Sequence, residues 1–321
     1  MAKLIDEKGR PVFGLHNGPL KELNFGDFKR RGGRGGLKRW VFAGVCSSDA
    51  VFGLAIAHLG YLSNLFAYVF DRKAGKIVSE ADSIMPFAAG TVFEGTGLEG
   101  SAVFGKKAGI TMTPYMLRLE AKISGGLSAE LEYARIKESL NLVTRNGLEG
   151  FNYTCKEAGL GVSGKIRARG KEYVITPENS YGNFDYTYGV LKRSTFWNWA
   201  SGGGADSKGR KLGFNFSQGV NETGFTENAF WVDGKMVKVD TVDFLYDTKN
   251  TMSGWRLKSF DNRVDLTFKP DGSRDKDFNI GIVKSFYRQP FGSFSGTLKD
   301  GPETYELADA YGFTEEHDAV W

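Results

Sequence analysis

Cysteine and histidine are scarce in this chain of 321 residues, which holds two of the first and three of the second. Cys46 and Cys155 have neither a CxxC neighbour nor a histidine partner, which excludes a disulfide framework and a zinc site, so no metal is expected. His16, His58 and His317 form no HExxH pair, and neither a GxSxG elbow nor a P-loop is present. Zinc-protease, serine-hydrolase and P-loop nucleotide chemistry are therefore excluded, and no cofactor is expected. Gly202-Gly203-Gly204 is followed by Ala-Asp-Ser-Lys-Gly-Arg-Lys, which reads as a hairpin tip and not as the helix start a phosphate site needs. Excess charge is missing too: the net charge is +4, and phosphate backbones demand a concentrated basic surface, so nucleic acid is not a partner. The one basic cluster, Lys29-Arg30-Arg31 with Arg34, Lys38 and Arg39, reads as a solvated loop leading into a strand; contact with phosphate or anionic lipid is the other reading. No apolar run reaches the roughly 20 residues of a membrane span. The longest, Val51–Phe70, is broken by Gly53, His58, Gly60, Ser63 and Asn64. The first residues, MAKLIDEKGRPVFG, lack the regions of a signal peptide. These absences give a cytoplasmic setting as the expectation, with peripheral membrane contact still open and the oligomeric state undetermined.

What the chain has is glycine and aromatic rings: 43 Gly, 14% aromatics and 41% hydrophobic residues, with short aromatic or β-branched runs between Gly, Asp and Asn. That pattern predicts many short strands joined by tight turns. Asp71–Lys76 reads as a hairpin turn, Gly125-Gly126 as another, and Asp233-Gly234 between two β runs as a third. Leu117–Ile123 alternates apolar and charged residues, as a strand with one wet face does. Leu127–Glu138 alternates too, and its preceding glycines favour strand over helix. No long amphipathic helix stands out. Gly147–Thr154 and Gly159–Gly164 read as connecting segments, which divides the chain into β units 1–160 and 161–321. The fold class expected is all-β, two antiparallel barrels or sandwiches with few helices.

The densest stretch is Phe184–Gly234, which contains three of the six Trp residues. Trp197, Trp199 and Trp231 alternate there with Asp185, Arg193, Asn198, Glu227 and Asn228. Aromatic area with a few polar groups is the composition of a ligand pocket and equally of a tight β core. The expectation is that Trp197-Asn198-Trp199-Ala200 packs and that Phe225–Phe230 supplies the polar group. Glu227 lies between Phe225 and Phe230-Trp231; it reads either as a general acid with a raised pKa or as a turn residue accepting backbone amides. Asp185 or His317 is the second candidate proton-transfer group, and for His317 a hydrogen-bonded structural role is the alternative. Tyr186, Arg193, Trp197, Asn198, Trp199, Asn228, Trp231 and Gln289 are the candidate ligand-binding residues. The closing Tyr311–Trp321 is aromatic-rich for a terminus and is expected to fold back onto a barrel.

Several phrases recur together in order: Trp197-Asn198-Trp199-Ala200-Ser201, Gly213-Phe214-Asn215, Gly224–Ala229, Val232-Asp233-Gly234, Gln289-Pro290-Phe291-Gly292 and Gly312–His317. With Leu37–Trp40 and Phe151–Lys156 upstream, the set resembles a bacterial domain-of-unknown-function family (2804) over nearly the whole chain. That family is distantly similar to the calycin group of hydroxyneurosporene synthase (carotenoid 1,2-hydratase) and AttH-like proteins. The resemblance implies two lipocalin-like β-barrel domains. Members of the wider group include cofactor-free hydratases and catalysts of pericyclic cyclisation, and no catalytic residues carry over to this sequence. Three readings follow: binding of a hydrophobic small molecule such as a lipid, fatty acid or isoprenoid, ranked first; a cofactor-independent hydratase, lyase or isomerase using a buried carboxylate; and a scaffold with no small ligand.

Overall fold

The computed structural model describes residues 3–16, 18, 20, 22–29, 36–147, 150–221, 224–281 and 283–321. The middle of the basic cluster, residues 30–35, lies outside the described residues. Two sheets take up almost the whole chain. The first has fourteen strands: β1 (Gly14–Leu15), β2 (Leu37–Ser47), β3 (Ala50–His58), β4 (Leu62–Asp71), β5 (Lys76–Pro86), β6 (Thr91–Gly95), β7 (Gly100–Phe104), β8 (Ala108–Met112), β9 (Met116–Ile123), β10 (Leu127–Ala134), β11 (Leu140–Asn146), β12 (Gly150–Ala168), β13 (Lys171–Ile175) and β14 (Ser180–Val190). The second has nine: β15 (Ser194–Ala205), β16 (Lys211–Gln218), β17 (Ala229–Val232), β18 (Lys235–Lys238), β19 (Val242–Tyr246), β20 (Trp255–Ser259), β21 (Val264–Asn279), β22 (Lys284–Asp300) and β23 (Glu303–Val320). The named strands pair antiparallel throughout, and the helical content among the described residues is the 3-10 turn Phe25–Asp27. The first sheet curls into a nearly closed barrel and the second into a half-barrel, so the fold is all-β with two barrel- or sandwich-like units.

The three turns read from the sequence join β4 to β5, β9 to β10, and β17 to β18. At the last, Asp233 and Gly234 both take positive φ, 48° and 79°, as a tight two-residue hairpin requires. The sheet changes between Val190 and Ser194, not near residue 160. Gly147–Thr154 and Gly159–Gly164, read as connectors, lie largely within β12, a 19-residue strand. Its first half pairs with β11 and β14 and its second half with β10 and β13. The glycines that look like breaks serve another purpose. Gly159 sits at a register shift with φ 74°, and a Cβ there would lie 2.9 Å from Gly213 Cα. A Cβ on Gly203 would in turn lie 2.9 Å from Gly159 Cα. Bare backbone lets β12 lie directly on β15 and β16, and this contact joins the two sheets.

Each sheet has its own apolar core. A third core lies between them, where Phe42, Val51, Tyr68 and Phe70 of the first sheet meet Trp199, Phe291, Tyr311 and Phe313 of the second. Edge-to-face pairs such as Phe42 with Trp199, at 5.6 Å, and Phe42 with Phe313, at 5.6 Å, fix the two sheets against each other. The closing segment is β23, paired to both β15 and β22 in the middle of its sheet.

Candidate functional site

The inter-sheet core stops short of one end of the molecule, and a cavity of about 270 Å³ opens there. Strand register sets its walls in layers. The deepest layer is Phe42, Ala55, Phe66 and Asp82 across β2 to β5, facing Trp199 and Glu315. The next is Trp40, Ala57, Asn64 and Ile84, facing Trp197, His317, Tyr287 and Lys276. Leu59 and Leu62, with Thr195, Ser285 and Phe278 opposite, form the outer layer. The indoles of Trp40 and Trp197 are parallel within 4° at a centroid distance of 6.1 Å, one from each sheet.

One flank of the cavity carries a buried ionic group. Lys156 on β12 and Asp185 on β14 are cross-strand partners, and Lys156 Nζ lies 2.7 Å from Asp185 Oδ2. The same ammonium lies 3.6 Å from Glu227 Oε1. Burial alone would lower the Lys156 pKa; the Asp185 and Glu227 charges outweigh it and the pKa is raised. Asp185 also accepts from Thr187 Oγ1 at 3.1 Å and from Trp40 Nε1 at 3.4 Å. Glu227 lies in the segment between β16 and β17. Its carbonyl accepts from Asn215 Nδ2 at 2.9 Å, and its Oε2 accepts from Asn221 Nδ2 at 2.7 Å.

The other polar feature is Glu315 on β23, buried at 7% exposure. Trp197 Nε1 donates to its Oε1 at 2.7 Å; Tyr287 Oη, at 2.7 Å, and Gln289 Nε2, at 3.0 Å, donate to its Oε2. Burial pushes the Glu315 pKa up to about 7, assisted by the Asp185 charge, against the pull of these three donors. Two residues along, His317 packs against Trp197 at 4.3 Å and its Nε2 meets Ser285 Oγ at 2.8 Å. Burial lowers its pKa to about 3, so the ring is neutral. Its buried Nδ1, like Asn152 Oδ1, has no hydrogen-bond partner among the described residues. Arg274 closes the far wall, its guanidinium 2.7 Å from Asp82 Oδ1 and 4.2 Å from the Phe66 ring centroid. No group of three metal-ligating side chains stands together among the described residues. No helix there is long and apolar enough to cross a membrane.

The structure thus brings Asp185, Glu227, His317, Trp197 and Trp199 to one cavity. The other candidates do not line it. Tyr186 follows Asp185 on β14 and so points to the opposite face, into the first sheet's core. Trp231 packs with Leu140 and Ala158, and its Nε1 donates to Glu138 O at 2.6 Å. Asn228 is turn chemistry, accepting from Ser217 N at 2.7 Å and donating to Asp240 O at 3.0 Å. Asn198 points away from the cavity and donates to Tyr246 Oη at 2.9 Å. Arg193 is exposed beside the Trp321 carbonyl. Gln289 stands behind the wall, linking Tyr68 Oη, at 2.7 Å, to Glu315. Sequence reasoning missed Lys156 and Glu315. The signal was present: Asn152, Thr154 and Lys156 alternate with Phe151, Tyr153 and Cys155, and Glu315 and His317 follow Phe313 at a spacing of two.

A family model described as Domain of unknown function (DUF2804) matches residues 1–321. The chain belongs to that family. A comparison with curated protein sequences found no significant match. Among solved structures, a candidate AttH from Nitrosomonas europaea is similar with a TM-score of 0.58 and 13% identity, over 87% of this chain and 92% of that one. CghA is similar with a TM-score of 0.58 and 11% identity over 98% and 95%. CghA with Sch210972 gives 0.57 and 13% over 87% of each chain. Kievitone hydratase from Nectria haematococca gives 0.48 and 10% over 88% of each chain, a likeness too loose to carry an argument. At these identities the AttH and CghA likenesses establish the shared two-sheet fold.

Proposed function

We propose that the protein binds an apolar, unsaturated small molecule in the inter-sheet cavity and carries out cofactor-independent proton transfer on it, as a hydratase, lyase or isomerase does. The observation that carries this reading is the arrangement of two different carboxyl environments on one aromatic cavity. Glu315 forms no ion pair among the described residues and sits among Trp197, Tyr287 and Gln289, while Asp185 and Glu227 share the Lys156 ammonium. A carboxyl that exchanges its proton near neutrality is suited to protonate a double bond, and a carboxylate held by a lysine is suited to orient water or accept a proton. The faces of Trp40, Trp197 and Tyr287 supply π density to a cationic intermediate. Glu227, the acid expected from sequence, then shares the carboxylate role with Asp185, and Glu315 takes the acid role. That CghA, a protein of this fold, was solved with Sch210972 supports a fold able to hold an organic molecule.

Simple binding is the second reading, and one observation favours it: the Lys156–Asp185–Glu227 group is satisfied within itself. The test is native mass spectrometry and turnover on a panel of fatty-acid and isoprenoid probes with the wild type, Glu315→Gln and Glu227→Gln. Proton-transfer chemistry predicts that both variants bind the probe and turn over at least about 100-fold more slowly. Binding without turnover by any of the three leaves a binder. Absence of binding across the panel overturns both readings.

A further inference from the structure

The end of the molecule where the cavity opens differs from the rest of its surface. Register places the segments 59–61, 87–90 and 191–193 there, together with the turn between β21 and β22. Around the opening, large apolar side chains point outward: Phe87 is 88% exposed, Ile280 60%, Ile84 53% and Tyr61 40%. They come from both sheets, and Ile84 itself lines the cavity with Leu62, Phe278 and Val283. Phe87 is held out by its backbone. Its N–H donates to Tyr61 O at 2.8 Å, and Phe87 and Ala88 take φ values of 56° and 52°, a region side chains with a Cβ rarely adopt. The fold keeps a strained turn that presents a phenyl ring to solvent.

Positive charge predominates at this rim, where register also brings the end of β23, with Asp318, beside Ser194 and Lys284. Segments 59–61, 87–90 and 191–193, with Ile280, Gly281, Val283 and Lys284, hold Lys192, Arg193 and Lys284 and no Asp or Glu. Lys284 makes no ion pair among the described residues. Lys38 lies beneath the rim, its Nζ 5.0 Å from the Tyr61 ring centroid. Apolar tips from two sheets, interleaved with lysines, around the opening of an apolar cavity have the chemistry of the headgroup boundary of an anionic bilayer.

We propose that this rim docks on an anionic membrane surface, with Phe87, Ile84 and Ile280 entering the headgroup boundary and Lys192 and Lys284 meeting lipid phosphates and carboxylates. Docked in this way, the cavity opens onto the phase in which an apolar ligand is dissolved. That the ligand enters from the bilayer rests on the cavity reading above; the docking itself does not.

The experiment is cosedimentation of the full chain with vesicles of phosphatidylcholine alone and of phosphatidylcholine with phosphatidylserine, at low and physiological salt. Binding is expected on the phosphatidylserine vesicles and weakens with salt. The double variant Phe87→Ser, Ile280→Ser is expected to need at least about tenfold more lipid, since several CH₂ equivalents leave the boundary. Lys284→Ala is expected to weaken binding about fivefold on phosphatidylserine vesicles and to have no effect on phosphatidylcholine. Phe87 and Ile280 are solvent-facing, and Lys284, half-buried at the cavity mouth, makes no ion pair among the described residues, so the variants keep the wild-type far-ultraviolet spectrum and melting point. No sedimentation of wild type with phosphatidylserine at low salt overturns the proposal, as does equal binding by the double variant. Dimerisation that the double variant abolishes, without vesicle binding, makes the rim a self-association face and also overturns it. Detergent-dispersed probes separate the two proposals: the double variant binds them like wild type, and failure of wild type to bind them counts against the cavity reading alone.

Discussion

Replacing Glu315 by glutamine tests the site without removing volume. In the folded chain the Glu315 pKa stands near 7, against an ordinary value of 4.5. Between those values the folded chain holds a proton that the unfolded chain has released, so this group's contribution to stability falls as pH rises through the interval. At about 1.4 kcal/mol per pH unit the interval is worth about 3 kcal/mol. Glutamine never ionises and escapes that loss. It places an amide against Gln289 Nε2, which donates to Glu315 at 3.0 Å in the wild type, and a donor facing a donor costs about 1 kcal/mol at every pH. The variant is therefore expected to be about 1 kcal/mol less stable than wild type near pH 4.5 and about 2 kcal/mol more stable near pH 8. Urea unfolding followed by tryptophan fluorescence and far-ultraviolet circular dichroism, at matched ionic strength, measures the difference. A difference that stays constant with pH, or a wild type that gains on the variant as pH rises, refutes the reasoning; the second result means that the three donors hold Glu315 ionised. Stability gained and turnover lost in one variant is the signature of a group kept for chemistry at the expense of the fold.

Other consequences follow from the same geometry. His317 stays neutral in the fold to about pH 3, whereas an ordinary histidine takes a proton near 6.5, so wild type loses stability as pH falls below 6.5. His317→Phe removes that loss and flattens the acid limb by up to about 1.4 kcal/mol per pH unit; superimposable acid limbs would show that the ring is protonated in the fold. Trp231→Ala is expected to cost about 3–5 kcal/mol of stability and leave probe affinity unchanged, because Trp231 packs behind the second sheet's edge and away from the cavity. Trp197→Ala is expected to weaken probe binding at least about tenfold, because it removes an indole wall and a donor to Glu315 together. Equal probe affinity in the two variants would show that the ligand sits elsewhere.

The sequence by itself determined the strand-and-turn character of the chain. Asp71–Lys76, Gly125-Gly126 and Asp233-Gly234 announce their hairpins because a tight turn demands particular residue types wherever the chain goes next. It also pointed at five residues that meet on the cavity, four through the density of aromatics and carboxylates around Trp197 and Glu227 and His317 through the aromatic-rich closing segment. Tertiary structure decided the rest. The change of sheet came at 190–194 because the glycines of β12 mark a close approach of two backbones and not a break, and no local rule separates the two. Alternation assigns side chains to two faces of a strand, and it names the wet face only when one face is wet. Along β14 nearly every residue from Ser180 to Val190 is buried. Asp185 and Tyr186 are neighbours in sequence, and they point to different interiors: one to Lys156 and the cavity, the other to the first core. Lys156 and Glu315 stayed hidden for the same reason. Their burial depends on the packing of one sheet against the other, and a charge buried between them has no signature in the chain until its partner arrives from another strand.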